Sequence, residues 1–360
     1  MKIAIISNNS NGLYLFRRQL ISTLINSGHE VYILTPFDSD VERLKSLGVR
    51  LFETPLDRRG KNFFKDLTLI KLYNTILKKI RPDIVLTYTI KPNIYGGIVS
   101  KRLKILYCAN VTGIGTAFQQ DGILKKFVTI LNRFALANAK TVFFENSCNR
   151  DAFVENKIVK LSKTCVLSGA GVDLSYFNYQ EYPNNDVFKF LFIGRIMKEK
   201  GIEELLESMR RLVKDGEKCT LDVVGALEED YGDELKRFEL EGWLKYHGFQ
   251  EDVRPFIGKC DCFVLPSYHE GMANTNLECA ASGRPIITSN IPGCREAVIE
   301  NVTGILCEAK EADSLYEAMK LMIRTSLKKR ELMGKEGRYY MFERFDKNAV
   351  INETIKQIIL

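Results

Sequence analysis

The chain has 360 residues, 45% of them hydrophobic and 27% charged. That length and balance exclude a disordered chain and favour two globular domains with full cores. Net charge is +7, but it is unevenly spread: residues 1–180 hold 26 basic against 13 acidic side chains, and residues 181–360 hold 26 against 32. A half at +13 points to an anionic partner such as nucleic acid, an acidic membrane leaflet or a phosphorylated acceptor.

Nine Cys occur without a CxxC pair, and only three His are available to help build a zinc site. They read as reduced, buried thiols of a reducing compartment, so the expected location is cytoplasmic. The hydrophobic run after Lys2 is too short for a signal peptide and reads as a first strand. No stretch approaches the roughly 18 apolar residues that span a bilayer.

In chain order, residues 2–7 are a strand buried on both faces, 14–27 a helix, and 31–35 a second strand. The alternation continues with a helix at 40–47, a strand at 49–53 and a helix at 63–80, where apolar residues at 63, 67, 70, 73, 77 and 80 set the spacing. Pro82 ends that helix, and strands follow at 83–88, 105–109, 141–145 and 164–167. The polar, turn-rich stretch 178–186 reads as an interdomain linker.

The second half restarts the pattern. Strands are expected at 188–193, 220–224, 244–249, 262–265, 285–289 and 304–306, and helices at 201–215, 233–241, 275–282, 294–299, 311–326 and 328–342. The expected fold is α/β: two Rossmann-like domains, 1–180 and 187–345, whose parallel sheets face each other across a cleft. A last helix, 346–360, is expected to pack back on the first domain.

Four segments carry candidate chemistry. In Glu270-Gly-Met-Ala-Asn-Thr-Asn-Leu-Glu278, two carboxylates eight positions apart bracket a helix start. Amides exposed there suit a diphosphate, while the carboxylates suit sugar and ribose hydroxyls; equally, Glu270 could cap the helix and Glu278 be solvated. In Phe190–Gly201 a strand delivers Gly194 and Arg195 at its end, with Lys200 before the next helix. Arg and Lys together can neutralise a departing diphosphate, or belong to an ordinary surface loop.

The first turn, Ser7–Tyr14, lacks GxGxxG, which leaves a nicotinamide site unsupported, although Gly12 would allow close approach of a substrate. Asn110 precedes a second glycine-containing loop, Val111–Phe118, which includes Gly113. Lys91, in Ile90-Lys-Pro-Asn93, is expected at the sheet edge facing the cleft. These four residues, Gly12, Lys91, Asn110 and Gly113, are the acceptor-side candidates. Asp38-Ser39-Asp40 is a DxD, but it precedes a helix, and Asp40 reads as its N-cap rather than a metal ligand. No metal site is expected. Two basic-apolar segments, 63–80 and 123–138, would each suit an anionic leaflet or an ordinary core-facing helix. Nucleic acid is disfavoured, since aromatics do not interleave with the basic residues in a known module.

The Glu270–Glu278 segment resembles the E-x7-E motif of retaining glycosyltransferases of family 4, which have the GT-B fold. Gly194-Arg195…Lys200-Gly201 is similar to their donor-phosphate loop, and Gly283–Val298 is also similar. Thr87–Gly97 and Thr141–Asp151 look like capsular-polysaccharide and lipid-linked-oligosaccharide members of the PglA type.

The resemblance implies that Arg195 and Lys200 bind the donor diphosphate, that Glu270 meets sugar hydroxyls and that Glu278 holds the ribose. It implies backbone contacts from Gly271, Met272 and Ala273, donor contacts from Gly194, Asn274 and Thr275, and a base lined by Phe249. It also implies a UDP-linked donor, no cofactor and no metal, a polyprenyl-diphosphate-linked saccharide as acceptor, and work at the inner face of the cytoplasmic membrane. Many members carry a His in the first domain; this chain has only His29 there, in a connection before the second strand. A nucleotide-sugar epimerase and a non-catalytic nucleotide-sugar binder are the alternatives.

Overall fold

The computed structural model describes residues 1–56, 63–113 and 122–359. The first compact unit runs from Met1 to Ala170 and regains the chain from Ala349, and the second spans Gly171–Asn348.

The first unit orders β1 (Lys2–Ile6), α1 (Ser10–Asn26), β2 (Glu30–Thr35), α2 (Val41–Lys45), β3 (Arg50–Glu53), α3 (Phe63–Ile80), β4 (Ile84–Tyr88), α4 (Ile90–Leu103), β5 (Leu106–Val111), α5 (Ile123–Leu136), β6 (Thr141–Phe144), α6 (Ser147–Glu155) and β7 (Thr164–Val166). Its seven-stranded sheet has the order β3-β2-β1-β4-β5-β6-β7, and every pairing is parallel. The apolar run in β1 has two destinations: Ile3 and Ile5 pack with Leu13 and Leu20 of α1, while Ala4 and Ile6 pack with Tyr73 and Tyr107 on the other face. Period-2 alternation inside a continuous apolar run is what a sheet covered on both faces requires. Val350, Ile351 and Ile358 of the last helix, α13 (Lys347–Ile359), join the α1-side core.

The second unit orders β8 (Phe188–Ile193), α7 (Ile202–Lys214), β9 (Cys219–Val224), α8 (Gly232–Leu240), β10 (Leu244–Tyr246), α9 (Arg254–Lys259), β11 (Cys262–Leu265), α10 (Asn274–Ala281), β12 (Ile286–Ser289), β13 (Gly304–Cys307), α11 (Ala312–Arg324) and α12 (Leu327–Phe345). Its parallel six-stranded sheet has the order β10-β9-β8-β11-β12-β13, the doubly wound pattern. All nine Cys are free thiols.

The stretch 178–186 is not a linker. It is strapped to the second unit, and the chain divides at 170/171 instead of near 180. Tyr182 Oη donates to Asp261 O at 2.7 Å, and Asn185 Nδ2 donates to Asp261 Oδ2 at 2.9 Å. The fully buried Arg284 donates to the carbonyls of Gln180, Glu181, Ile257, Gly258 and Gly283. Polar composition here serves internal hydrogen bonds that sequence alone does not distinguish from solvation.

Candidate active site

In a doubly wound sheet, ligands bind beyond the carboxyl ends of the strands, where the strand order reverses. In the second unit that point lies between β8 and β11, which are hydrogen-bonded neighbours. The loops leaving these two strands carry Arg195–Lys200 and Pro266–Ala273, so the two segments singled out from the sequence converge at the switch point.

Glycines set the convergence. Gly201 adopts φ +71°, and a Cβ there would overlap Pro266 O, so only glycine lets the β8–α7 loop lie on the β11–α10 loop. Tyr268 N donates to Glu199 O at 2.9 Å, and Tyr268 Oη donates to Glu204 Oε1 at 2.6 Å. Held this way, Lys200 Nζ hydrogen-bonds Glu270 Oε1, which also accepts Ser267 Oγ at 2.9 Å. The pair is largely sheltered, with side chains 18% and 13% exposed. Arg195 is 48% exposed, and its Nη1 lies 3.7 Å from Glu228 Oε1. On the β9 side, Gly225 N donates to Gly248 O at 2.8 Å, which places the exposed Phe249 at the same sheet edge.

Gly271, Met272 and Ala273 are buried beneath the loop at Gly293, where a Cβ would lie 2.6 Å from Glu270 O. Ala273 N is already bonded to Gly293 O at 2.7 Å, so this amide is taken. Neither α7, entered at Gly201, nor α10, entered at Ala273, has a side-chain cap. Without a side-chain cap, the start of each helix can receive an anion, which its dipole favours. Asn274 and Thr275 are the first two residues of α10, and Asn274 Oδ1 is buried with no protein partner. Glu278, the fifth, is half-buried, and burial pushes its carboxyl up to about 7 against the pull of Lys347. The site thus gathers cations, two helix N-termini and carboxylates, a set able to hold a diphosphate next to a polyol. Sequence reading gave no role to Ser267 or Tyr268; for Ser267 the available signal was its spacing of three from Glu270.

The first unit treats its candidates differently. Gly12 lies inside the first turn of α1, and its N–H donates to Asn9 Oδ1 at 2.6 Å, so it serves the cap rather than a substrate. Asp38 Oδ1 accepts Ser10 N at 3.1 Å and also bonds Ser10 Oγ. A carboxylate of the protein itself thus occupies this helix N-terminus. Asp40 sits at the N-cap position of α2, yet its carboxylate turns to Asn11 Nδ2 at 2.7 Å and Arg43 Nη1 at 3.1 Å instead of capping.

Lys91 is in the first turn of α4, with Nζ 2.9 Å from Asp66 Oδ1 of α3; it ties two helices together rather than presenting a free charge. Asn110 is buried, with Nδ2 donating to Thr87 O at 3.1 Å and its carbonyl accepting Asn93 Nδ2 at 2.9 Å. Gly113 has φ +153° and open space around it, and residues 114–118 of that loop lie outside the described residues. At the β4 and β6 ends, Arg17 Nη2 pairs with Glu145 Oε1 at 3.1 Å, with its guanidinium 5.0 Å from the Tyr88 ring centroid.

Two doubly wound parallel units are the architecture of the GT-B fold. The chain belongs to the glycosyltransferases of the family 4 type: residues 2–146 match the glycosyl transferase 4-like family, and residues 179–339 match glycosyl transferases group 1. It is 28% identical over 340 residues to the N,N'-diacetylbacillosaminyl-diphospho-undecaprenol alpha-1,3-N-acetylgalactosaminyltransferase of Campylobacter jejuni, covering 90% of this chain and 89% of the relative. It is 29% identical over 303 residues to the UDP-Gal:alpha-D-GlcNAc-diphosphoundecaprenol alpha-1,3-galactosyltransferase of Escherichia coli, covering 75% and 74%. The fold superimposes on Anabaena HepE, solved with UDP-glucose, at a TM-score of 0.80, with 18% identity and 99% of each chain covered.

Proposed function

We propose that the protein transfers a hexose or N-acetylhexosamine, with retention of configuration, from a UDP-sugar to a polyprenyl-diphosphate-linked saccharide during bacterial surface-polysaccharide assembly. The acceptor being a membrane lipid, the enzyme works at the cytoplasmic face of the membrane. The observation that carries the reading is the Lys200–Glu270 pair between the uncapped starts of α7 and α10. The acceptor class is supported by the undecaprenol-linked acceptors in the names of both relatives.

As donor binds, Lys200 exchanges Glu270 for a phosphate oxygen, and Glu270 turns to the sugar hydroxyls. The bond between C1 and the phosphate oxygen breaks, and its electron pair stays on the diphosphate. Lys200, Arg195 and the two helix dipoles stabilise that charge where it develops. The acceptor hydroxyl attacks the oxocarbenium-like carbon from the face the diphosphate leaves, and the departing phosphate oxygen takes its proton. No protein nucleophile and no metal enter this scheme, so transfer persists in a chelator.

The test incubates the enzyme with UDP-sugars and a polyprenyl-diphosphate-linked saccharide, then reads the product's anomeric configuration by NMR. An alpha linkage from an alpha donor is expected. A beta linkage would overturn retention. An epimerised donor formed without acceptor would establish the epimerase alternative, and donor binding without any product the non-catalytic one.

A further inference from the structure

We propose that the outward face of α5 is a docking surface for an anionic lipid bilayer. Helices α3 and α5 are both rich in lysine and apolar residues, but the fold uses them in opposite ways. On α3 the lysines at 65, 71, 78 and 79 point to solvent, while Leu69, Tyr73, Ile76 and Leu77 are buried, the ordinary arrangement for a surface helix. On α5 three large apolar side chains are left in solvent: Phe127, Ile130 and Phe134 are 58%, 61% and 51% exposed. Their spacing of three and four residues puts them on one stripe. The opposite face is the one that packs inward, with Ala135 and Leu136 buried and Asn132 Nδ2 satisfied by Val128 O at 2.9 Å.

Within α4 and α5 the charge is of one sign. Lys126 and Arg133 flank it in the exposed row, and Lys101 Nζ of the adjoining α4 lies 4.1 Å from the Phe134 ring centroid. Neither α4 nor α5 contains an Asp or Glu. Apolar side chains edged by cations match the boundary between acyl chains and acidic headgroups, with the lysine stems lying along the apolar surface. Three side chains are far fewer than the roughly 20–30 residues a side of a stable protein interface, which favours a bilayer over a second copy. The assignment rests on the reading of the acceptor as a membrane lipid, because such a substrate brings the enzyme to a bilayer.

The test is vesicle flotation of the full chain, with vesicles of phosphatidylcholine alone and with phosphatidylglycerol added. Binding is expected only with the anionic vesicles and should weaken as salt rises. The triple variant F127S/I130S/F134S changes only exposed residues. It should lose flotation and transfer to a bilayer-embedded acceptor, while keeping its unfolding midpoint and its activity on a short-chain, water-soluble acceptor. K126Q should weaken partitioning about fivefold. Wild-type protein that transfers sugar to a lipid-linked acceptor yet floats with neither vesicle would overturn the surface and leave the proposed function standing. Flotation without any transfer to polyprenyl-diphosphate acceptors would overturn the function and leave the surface. Concentration-dependent dimerisation lost in the triple variant, without vesicle binding, would give the face to a second copy and overturn the proposal.

Discussion

At the residue scale, Arg195 and Lys200 share a charge but not a setting, and their substitutions should differ accordingly. Both Arg195→Ala and Lys200→Ala should raise the barrier to transfer by about 2.7–4 kcal/mol, a loss of roughly 10²–10³ in kcat. Arg195 is half-exposed, so its removal should leave the unfolding midpoint within about 0.5 kcal/mol of wild type. Lys200→Ala strands the sheltered Glu270 carboxylate and should also cost about 1–3 kcal/mol of stability by denaturant titration. Glu278 gives a pH signature. Its carboxyl is raised from 4.5 to about 7, so between these values the folded protein holds a proton that the unfolded chain has released. Stability associated with Glu278 therefore falls as pH rises from about 4.5 to 7, and Glu278→Gln should flatten that slope. If the ionised form accepts ribose hydroxyls, donor affinity should rise over the same window in wild type and not in the variant. The two carboxylates and two cations stood out as candidates in the sequence because chemistry limits which residue types can hold a diphosphate and a polyol. Ser267 was not, since a lone serine in a loop satisfies many structural roles.

At the element scale, the site depends on backbone approaches that side chains would forbid. Gly201→Ala combines a positive φ with overlap on Pro266 O, and should cost about 1–3 kcal/mol while also displacing Lys200. Unfolding and kcat would then fall together, unlike in Arg195→Ala. Most strands were readable because continuous apolar runs have one use in a parallel sheet. Helix α4 was harder: Pro92, Gly96 and Gly97 within Ile90–Leu103 look like breakers. The proline lies in the first turn, where its missing N–H costs nothing. A Cβ on Gly96 would meet Thr87 Cγ2 at 2.7 Å, and one on Gly97 would meet Ala135 O at 2.7 Å, so these glycines mark close packing. Lys91 is explained by a tertiary partner, Asp66, and Gly12 by a local one, the N-cap Asn9 three residues before it.

At the scale of the whole molecule, two units of one architecture close their switch-point turns differently. The first fills its α1 N-terminus with Asn9 and Asp38, while the second leaves α7 and α10 uncapped beside two cations. Composition indicated two domains but placed the division some ten residues late, because Arg284 makes a polar stretch part of the second unit. Arg284→Lys should therefore destabilise the second unit, since an ammonium with three donors cannot replace a guanidinium that reaches five carbonyls. The central claim, that the second unit binds the donor's diphosphate through this edge, is met most directly by calorimetric titration of UDP. Wild-type protein should bind it, and the double variant R195A/K200A should bind at least about tenfold more weakly, a loss above ~1.4 kcal/mol. Equal affinity in a folded double variant would contradict the account.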